Sequence, residues 1–200
     1  MKISHGSILA VYFSATGSEL AYGADWYNQA RKEAQAIANR CRLSLSTVAG
    51  VIAALSPSNR WERNLIDATN LCRLFSIGDD CASLKVSSYG PNKRKALAIL
   101  AGADPLTILG GLKVRAFYGC IVGDESAICI DGHAYSLWLG DRVPTTKTPK
   151  ISPKLYSLIA SDYIKAADQI NLITGNDHTA AQIQAITWLA WRRMVKEANK

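Results

Sequence analysis

Two adjacent glycines, Gly110 and Gly111, separate two short apolar segments and constrain the fold of this chain more than any other feature. Glycine reaches backbone angles that are closed to other residues, so the pair ends one helix and reverses the chain. The first helix begins at Asp104-Pro105, where an N-cap residue precedes a proline at the first helical position. Apolar residues in the second helix recur at i, i+3, i+4 and i+7: Val114, Phe117, Tyr118 and Ile121. The stretch from Asp104 to Leu139 therefore starts with a helical hairpin.

Two charged residues follow the glycine turn. Lys113 lies at the start of the second helix, and Asp131 comes after the apolar run Ala127–Ile130. The ammonium group of Lys113 can bind a phosphate, or it can act as a nucleophile if its pKa is depressed by desolvation or by neighbouring cations such as Arg115. Asp131 can N-cap the helix that begins near His133, and it can also act as a general base. The sequence leaves these roles open.

The hairpin, Lys113 and the segment Ile130-Asp131-Gly132-His133 resemble the helix-hairpin-helix DNA glycosylase superfamily, which includes endonuclease III. Members of that family carry a lysine at the start of the second hairpin helix and a hydrophobic-Asp-x-His element further along. The usual family turn has a hydrophobic residue between its glycines, whereas Gly110 and Gly111 are adjacent here. The resemblance covers roughly residues 44–195 and is strongest at 51–72 and 104–139.

This resemblance implies an enzyme that flips a nucleotide out of duplex DNA and cuts its N-glycosidic bond. Asp131 would be the catalytic carboxylate, stabilising an oxocarbenium-like transition state and orienting the nucleophile. Lys113 would be the amine nucleophile of a lyase-type member; otherwise a water activated by Asp131 takes that role. His133 would lie beside the substrate as a hydrogen-bonding residue.

The loop Ser56–Trp61 between two apolar helices is the second informative place. The run from Val51 to Cys72 looks like the paired glycosylase helices whose connecting loop pushes a polar wedge into the base stack. By position, three residues would form the wedge with Trp61 beside it: Ser58, Asn59 and Arg60. Alternatively, Trp61 is a core aromatic residue and Arg60 is a solvated loop residue.

Basic residues point to a polyanionic partner. The net charge is +7 with a pI of about 9.2. The helix predicted to start at Gly90-Pro91 carries Lys93, Arg94 and Lys95 in its first turn, where cations oppose the helix dipole. A bound phosphate would relieve that conflict, although a solvated basic face would also explain the pattern. We expect double-stranded DNA as the partner, bound by these three residues with Gly110, Gly111 and Arg115.

The fold class expected from these periodicities is all-α, with about eight helices. The glycosylase resemblance implies a single domain over residues 1–200 with two helical lobes, roughly 44–139 and 1–43 plus 140–200, and a cleft between them. The segments Ala24–Tyr27, Ser56–Asn64 and Gln184–Trp188 also look like small phage-encoded proteins.

Cofactors and membrane segments are not expected. The five cysteines have no C-x-x-C spacing and lie mostly in apolar helical contexts, as reduced core thiols do. With three histidines and no paired cysteines we expect no zinc site. The iron–sulfur loop of many endonuclease III relatives needs four C-terminal cysteines, whereas the last cysteine here is Cys129. No apolar run is long enough for a membrane span or followed by a signal cleavage site, so we expect the protein in the cytoplasm, or in the host cytoplasm if phage-encoded. We also expect a monomer.

The function expected from the sequence is that of a DNA glycosylase, with an AP lyase activity if Lys113 is the nucleophile. Two alternatives remain open. One is a DNA-binding protein that keeps the hairpin without the chemistry, and the other is a phage enzyme of the same fold that modifies a flipped base.

Overall fold

The computed structural model describes residues 4–198, apart from the side chains of residues 4, 5 and 145. This part of the chain is helical, with no strand, and the predicted all-α class is confirmed. Its α-helices are α1 (Ser4–Phe13), α2 (Gly17–Cys41), α3 (Leu45–Leu55), α4 (Trp61–Ser76), α5 (Gly90–Leu100), α6 (Pro105–Ile108), α7 (Leu112–Val122), α8 (Gly132–Leu139), α9 (Pro153–Thr174) and α10 (Ala180–Glu197). A short 3-10 helix covers Thr145–Lys147.

The helix count exceeds the eight or so expected, chiefly at the N-terminus. The residues of α1 are mostly small or apolar on every side, so they lack the amphipathic period from which a surface helix is recognised. The next helix, α2, begins at Gly17, well before the apolar stripe that starts at Trp26. Periodicity alone therefore indicates only the part of α2 from residue 26 onward.

Helix starts follow local capping chemistry. Ser44, Asp104 and Ser152 each accept a hydrogen bond from a backbone N–H of the helix that follows, and for Asp104 this is the predicted capping role. Asn176 and Asp177 are both residue types that cap helices, but the last helix begins after Thr179. Thr179 and Gln182 form a reciprocal capping box, which satisfies more of the first-turn N–H groups than a single asparagine or aspartate would.

The chain forms two compact units. The terminal unit comprises Met1–Tyr27 and Glu125–Lys200, and the central unit comprises Asn28–Asp124. The boundaries expected from the sequence lay near residues 43 and 139, whereas the units change at 27 and 124 because α2 contributes to both and α8 packs with α1 and α10. Lys113 consequently belongs to the central unit and Asp131 to the terminal unit. The predicted cleft between lobes stays a prediction.

The central unit is built around α3. Every residue from Val48 to Leu55 is buried, because α4, α5, α6 and α7 all pack against this helix. Gly50 permits the closest approach: a Cβ at this position would lie 2.9 Å from Cγ of Pro105 and 3.1 Å from Cγ2 of Ile99. The absence of a side chain at Gly50 thus seats the hairpin, through Pro105, on the core.

The terminal unit packs α1, α8, α9 and α10 around one apolar core that includes Ile8, Ile130, Leu137, Tyr163 and Ile186. Gly23 of α2 lies so close to α10 that a Cβ would be 2.6 Å from Cα of Ile186. This core holds Asp131, at the start of α8, against α10.

The five cysteines all lie in the described part of the chain, and none forms a disulfide. Within residues 4–198, no helix combines the length and the apolar character that crossing a membrane requires. The same residues contain no group of three histidine, cysteine or acidic side chains placed to hold a metal ion.

Candidate nucleic-acid interface and catalytic carboxylate

The predicted hairpin is present. Helix α6 ends at Ile108, and α7 begins at Leu112 after a turn that contains the two glycines. Gly111 has a φ of +79°, a region that disfavours side chains, and both glycines are exposed. Their backbone is therefore accessible to a ligand.

Two predicted DNA-binding side chains adjoin this turn. A Cβ on Gly110 would lie 3.3 Å from Nζ of Lys95, so the ammonium group from α5 lies against the glycine. Arg115 donates from Nε to the carbonyl oxygen of Leu109 at 2.8 Å, which fixes the exposed guanidinium beside the turn. Together they give an open backbone with two adjacent cations.

The other two basic residues of the predicted cluster differ from each other. Lys93 donates from Nζ to the carbonyl oxygens of Ala82 and Leu84, at 2.5 and 2.6 Å. These two hydrogen bonds attach the Lys93 side chain to the connection before α5, and its contact with DNA stays a prediction. Arg94 is exposed on α5, close to Gly90.

Lys113 is the second residue of α7 and is half-buried. Its position at the start of the second hairpin helix is the predicted one. Lys113 belongs to the central unit, whereas Asp131 belongs to the terminal unit. The assignment of Lys113 as a lyase nucleophile stays a prediction.

The predicted wedge connects α3 and α4. Ser58 and Arg60 are exposed, and Ser58 has a φ of +58°, which is uncommon for a residue with a side chain. Asn59 is half-buried, and its Nδ2 lies 3.5 Å from Oδ2 of Asp67. Trp61 packs edge-to-face on Phe117 of α7, with ring centroids 6.4 Å apart. The polar tip is thus open to solvent while Trp61 contacts the hairpin's second helix.

The buried carboxylate of Asp67 contacts this loop through Asn59. Its Oδ2 accepts a 2.8 Å hydrogen bond from the backbone N–H of Ser87, and its Oδ1 lies 3.2 Å from Nε of Arg63. Asp67 is only 2% exposed, so these contacts replace its hydration. It joins the Ser56–Arg60 loop to the connection before α5. This role could not be predicted, because in the sequence Asp67 resembles any other polar residue of α4.

Asp131 is the N-cap residue of α8. Its Oδ1 accepts from the backbone N–H of Ala134 at 2.8 Å, and its Oδ2 accepts from Nε1 of Trp188 at 2.9 Å. The side chain is half-buried, so it is neither sealed in the core nor fully solvated. The capping role considered from the sequence is real, and it leaves one lone pair of each oxygen for another partner.

Trp188 of α10 organises the surroundings of this carboxylate. The imidazole of His133 meets its ring edge-on, with centroids 5.8 Å apart at an angle of 89°. The guanidinium carbon of Arg192 lies 4.5 Å above the ring centroid. The indole thus contacts a carboxylate, an imidazole and a guanidinium at once.

A buried phenol completes the cluster. Tyr163 of α9 is fully buried, and its hydroxyl has no partner with hydrogen-bond geometry among the described residues. Burial raises the pKa of Tyr163, the nearby Thr187 hydroxyl lowers it, and the charge of Asp131 raises it. The Thr187 hydroxyl itself donates to the carbonyl oxygen of Ile183 at 2.8 Å. The phenol therefore remains protonated near the Asp131 carboxylate.

Asp131 and His133 were predicted site residues, whereas Trp188, Arg192 and Tyr163 were not. Trp188 lies among the apolar residues of α10, where its ring alone would explain its presence. The indole N–H of a tryptophan needs an acceptor when it is buried, and Asp131 was an available one. Their separation along the chain hid the pairing.

Comparison with known proteins identifies a family but no function. No curated protein and no solved structure matches the chain. Residues 3–195 match DUF7178, a family of unknown function, and the chain belongs to that family.

Proposed function

We propose that the protein is a DNA N-glycosylase that binds duplex DNA through its hairpin and releases a damaged or modified base with the help of Asp131. The observation that carries the proposal is the open turn at Gly110, where the ammonium group of Lys95 lies 3.3 Å from the position of the missing Cβ. The exposed backbone N–H groups of the turn and the adjacent ammonium group can bind a phosphate oxygen together. Phosphate contacts dominate the affinity of proteins for DNA.

Arg115 supports the same reading. Its guanidinium is anchored by Nε on the carbonyl oxygen of Leu109, so its remaining N–H groups are held near the turn. An arginine fixed in this way loses less side-chain entropy when it binds a phosphate.

The chemistry assigned to Asp131 is hydrolysis of the bond between the sugar and the base. The oxygen of water bonds to C1′, the base leaves with the electron pair of the C–N bond, and Asp131 takes a proton from the water. Positive charge develops on the sugar in the transition state, and a fixed carboxylate stabilises it. The hydrogen bonds from Ala134 and Trp188 fix both oxygens of this carboxylate.

Two other predicted elements have roles in this proposal. The exposed Ser58 and Arg60, with Asn59, enter the base stack and occupy the space of the extruded nucleotide. Lys113 replaces water as the nucleophile if the enzyme is also a lyase. Borohydride trapping of a covalent protein–DNA adduct, lost in Lys113→Ala, would distinguish the lyase from the water mechanism.

The proposal is tested with duplexes that each carry one damaged or hypermodified base. Free base in the supernatant is identified by mass spectrometry, and duplex affinity is measured on the same samples. We expect release from at least one duplex, leaving an abasic strand. We also expect Lys95→Gln to weaken binding and to reduce the salt dependence by about one counterion, whereas Lys32→Gln, an exposed lysine on α2, leaves both unchanged. Intact DNA across the whole panel would refute the glycosylase.

A second candidate is a DNA-binding protein without catalysis. It is favoured by the two hydrogen bonds of Asp131, because capping α8 and accepting from the Trp188 indole would be a sufficient structural role for this residue without any reaction. It predicts salt-sensitive, Lys95-dependent binding with no base release from any duplex.

A further inference from the structure

Arg192 is a cation that packs on an aromatic ring and has no acidic partner within residues 4–198. Its guanidinium carbon lies over the face of the Trp188 ring, 4.5 Å from the centroid, and in the described part of the chain Arg192 forms no ion pair. The next residue, Arg193, shows the contrast: it contacts Glu19 at 2.9 Å and Glu197 at 3.2 Å. Of these two adjacent arginines, only Arg193 has its charge paired with carboxylates in the described part of the chain.

The ring under Arg192 is the one that binds Asp131. The indole N–H lies in the ring plane and donates to the carboxylate, while the guanidinium occupies the ring face. One side chain therefore fixes a carboxylate and an exposed cation in different directions. Because α10 is continuous from Ala180 to Glu197, the spacing of Trp188 and Arg192 by one helical turn keeps this stack in register.

Stacking leaves the hydrogen-bonding edge of a guanidinium available. Its N–H groups point outward in its own plane, in a fork that matches two oxygens of a phosphate. The stack also restricts the rotamers of the arginine before any ligand arrives, which lowers the entropic cost of binding. We propose that Arg192 binds a phosphodiester of the DNA strand beside the nucleotide on which Asp131 acts. This inference rests on the proposed function for the identity of the ligand.

The test measures affinity for a fluorescent duplex by anisotropy at several salt concentrations, using the full chain. Arg192→Gln should weaken binding on the order of tenfold at low salt, because it removes a charge-assisted hydrogen bond. Its logarithmic salt slope should fall by about one. The affinity of Arg192→Lys should lie between those of the wild type and Arg192→Gln, because lysine keeps the charge but lacks the two-pronged donor geometry of a guanidinium. Lys154→Gln, an exposed lysine of α9 in the same unit, is the matched control and should leave affinity and slope unchanged.

Each outcome decides the proposal. Equal binding by Arg192→Gln and the wild type overturns it, and so does an equal loss in Arg192→Gln and Lys154→Gln, which would indicate only the general field of the protein. A wild type that binds no duplex overturns it as well. Base release is followed in the same samples: a wild type that releases no base, with binding still weakened by Arg192→Gln, refutes the glycosylase and supports the Arg192 site.

Discussion

Nε1 of Trp188 donates a 2.9 Å hydrogen bond to Oδ2 of Asp131, which joins α10 to the N-cap residue of α8. The bond connects residues far apart in the chain and places the candidate catalytic carboxylate on the terminal unit's core. Its contribution can be measured without any substrate.

Trp188→Phe should lower the free energy of unfolding by about 1–3 kcal/mol, because it removes the donor and part of a packed ring. Tyr163→Phe is the matched control: it removes a buried hydroxyl that has no partner with hydrogen-bond geometry among residues 4–198, so stability should be unchanged or slightly higher. Urea denaturation of both variants measures the difference. A loss in Tyr163→Phe as large as that in Trp188→Phe would contradict the assignment of these two polar groups.

Gly50→Ala tests how the hairpin is seated. The new Cβ would meet Pro105 at 2.9 Å, and overpacking of this kind costs about 1–3 kcal/mol. Duplex affinity should fall with it, since Pro105 begins the hairpin. Gly6→Ala is the control, because a Cβ there has nothing within 4 Å and a helical alanine should raise stability by roughly 0.5–1 kcal/mol. Equal melting temperatures for Gly50→Ala and Gly6→Ala would show that the close approach at Gly50 does not constrain the hairpin.

Asp67→Asn tests the support of the wedge loop. The substitution keeps the size of the side chain but removes the ion pair with Arg63 and weakens the hold on Ser87, so we expect a loss of about 1–3 kcal/mol. Amide hydrogen exchange at Ser87 should become faster. The exposed Glu62 on the same helix provides the control Glu62→Gln, which should change neither quantity. Unchanged exchange at Ser87 in Asp67→Asn would argue against the link between the two loops.

Alkaline pH should destabilise the protein through Cys72. Burial, with smaller effects from Cys41 and Cys81, raises the pKa of the Cys72 thiol to about 12. The unfolded chain releases this proton near its ordinary pKa of about 9, so the stabilisation is complete below that pH and is lost as pH rises toward 12. The expected slope from this group approaches 1.4 kcal/mol per pH unit.

Urea denaturation under reducing conditions at pH 8, 9 and 10 measures this slope. Cys72→Ala should show a shallower decline, because it has no thiol at this position to ionise in the unfolded state. Parallel stability profiles for Cys72→Ala and the wild type would mean that another group governs the alkaline loss.

The hairpin could be predicted because its determinants are local. Asp104-Pro105 specifies a helix start, and Gly110-Gly111 specifies a turn, whatever the rest of the chain does. The start of α10 is also specified locally, because Thr179 and Gln182 have the spacing of a capping box. It is nevertheless ambiguous from the sequence, since Asn176 and Asp177 are two acceptable N-cap residues just before it.

The environment of the candidate site could not be predicted in the same way. Pairing Asp131 with Trp188, or Asp67 with Ser87, requires knowing which helices pack together, and periodicity does not supply that. The internal use of Lys93 was hidden for a related reason. A lysine on a basic turn has the same sequence pattern whether it contacts a phosphate or the carbonyl oxygens of Ala82 and Leu84.

The most direct measurement is the single-turnover rate of base release by Asp131→Asn on a duplex that the wild type processes, with affinity for that duplex measured in parallel. Asparagine is an effective N-cap, so α8 should still form. We predict that the rate falls at least about a hundredfold while affinity is unchanged, because the carboxylate acts on the reacting bond. Base release by Asp131→Asn at the wild-type rate would contradict the account.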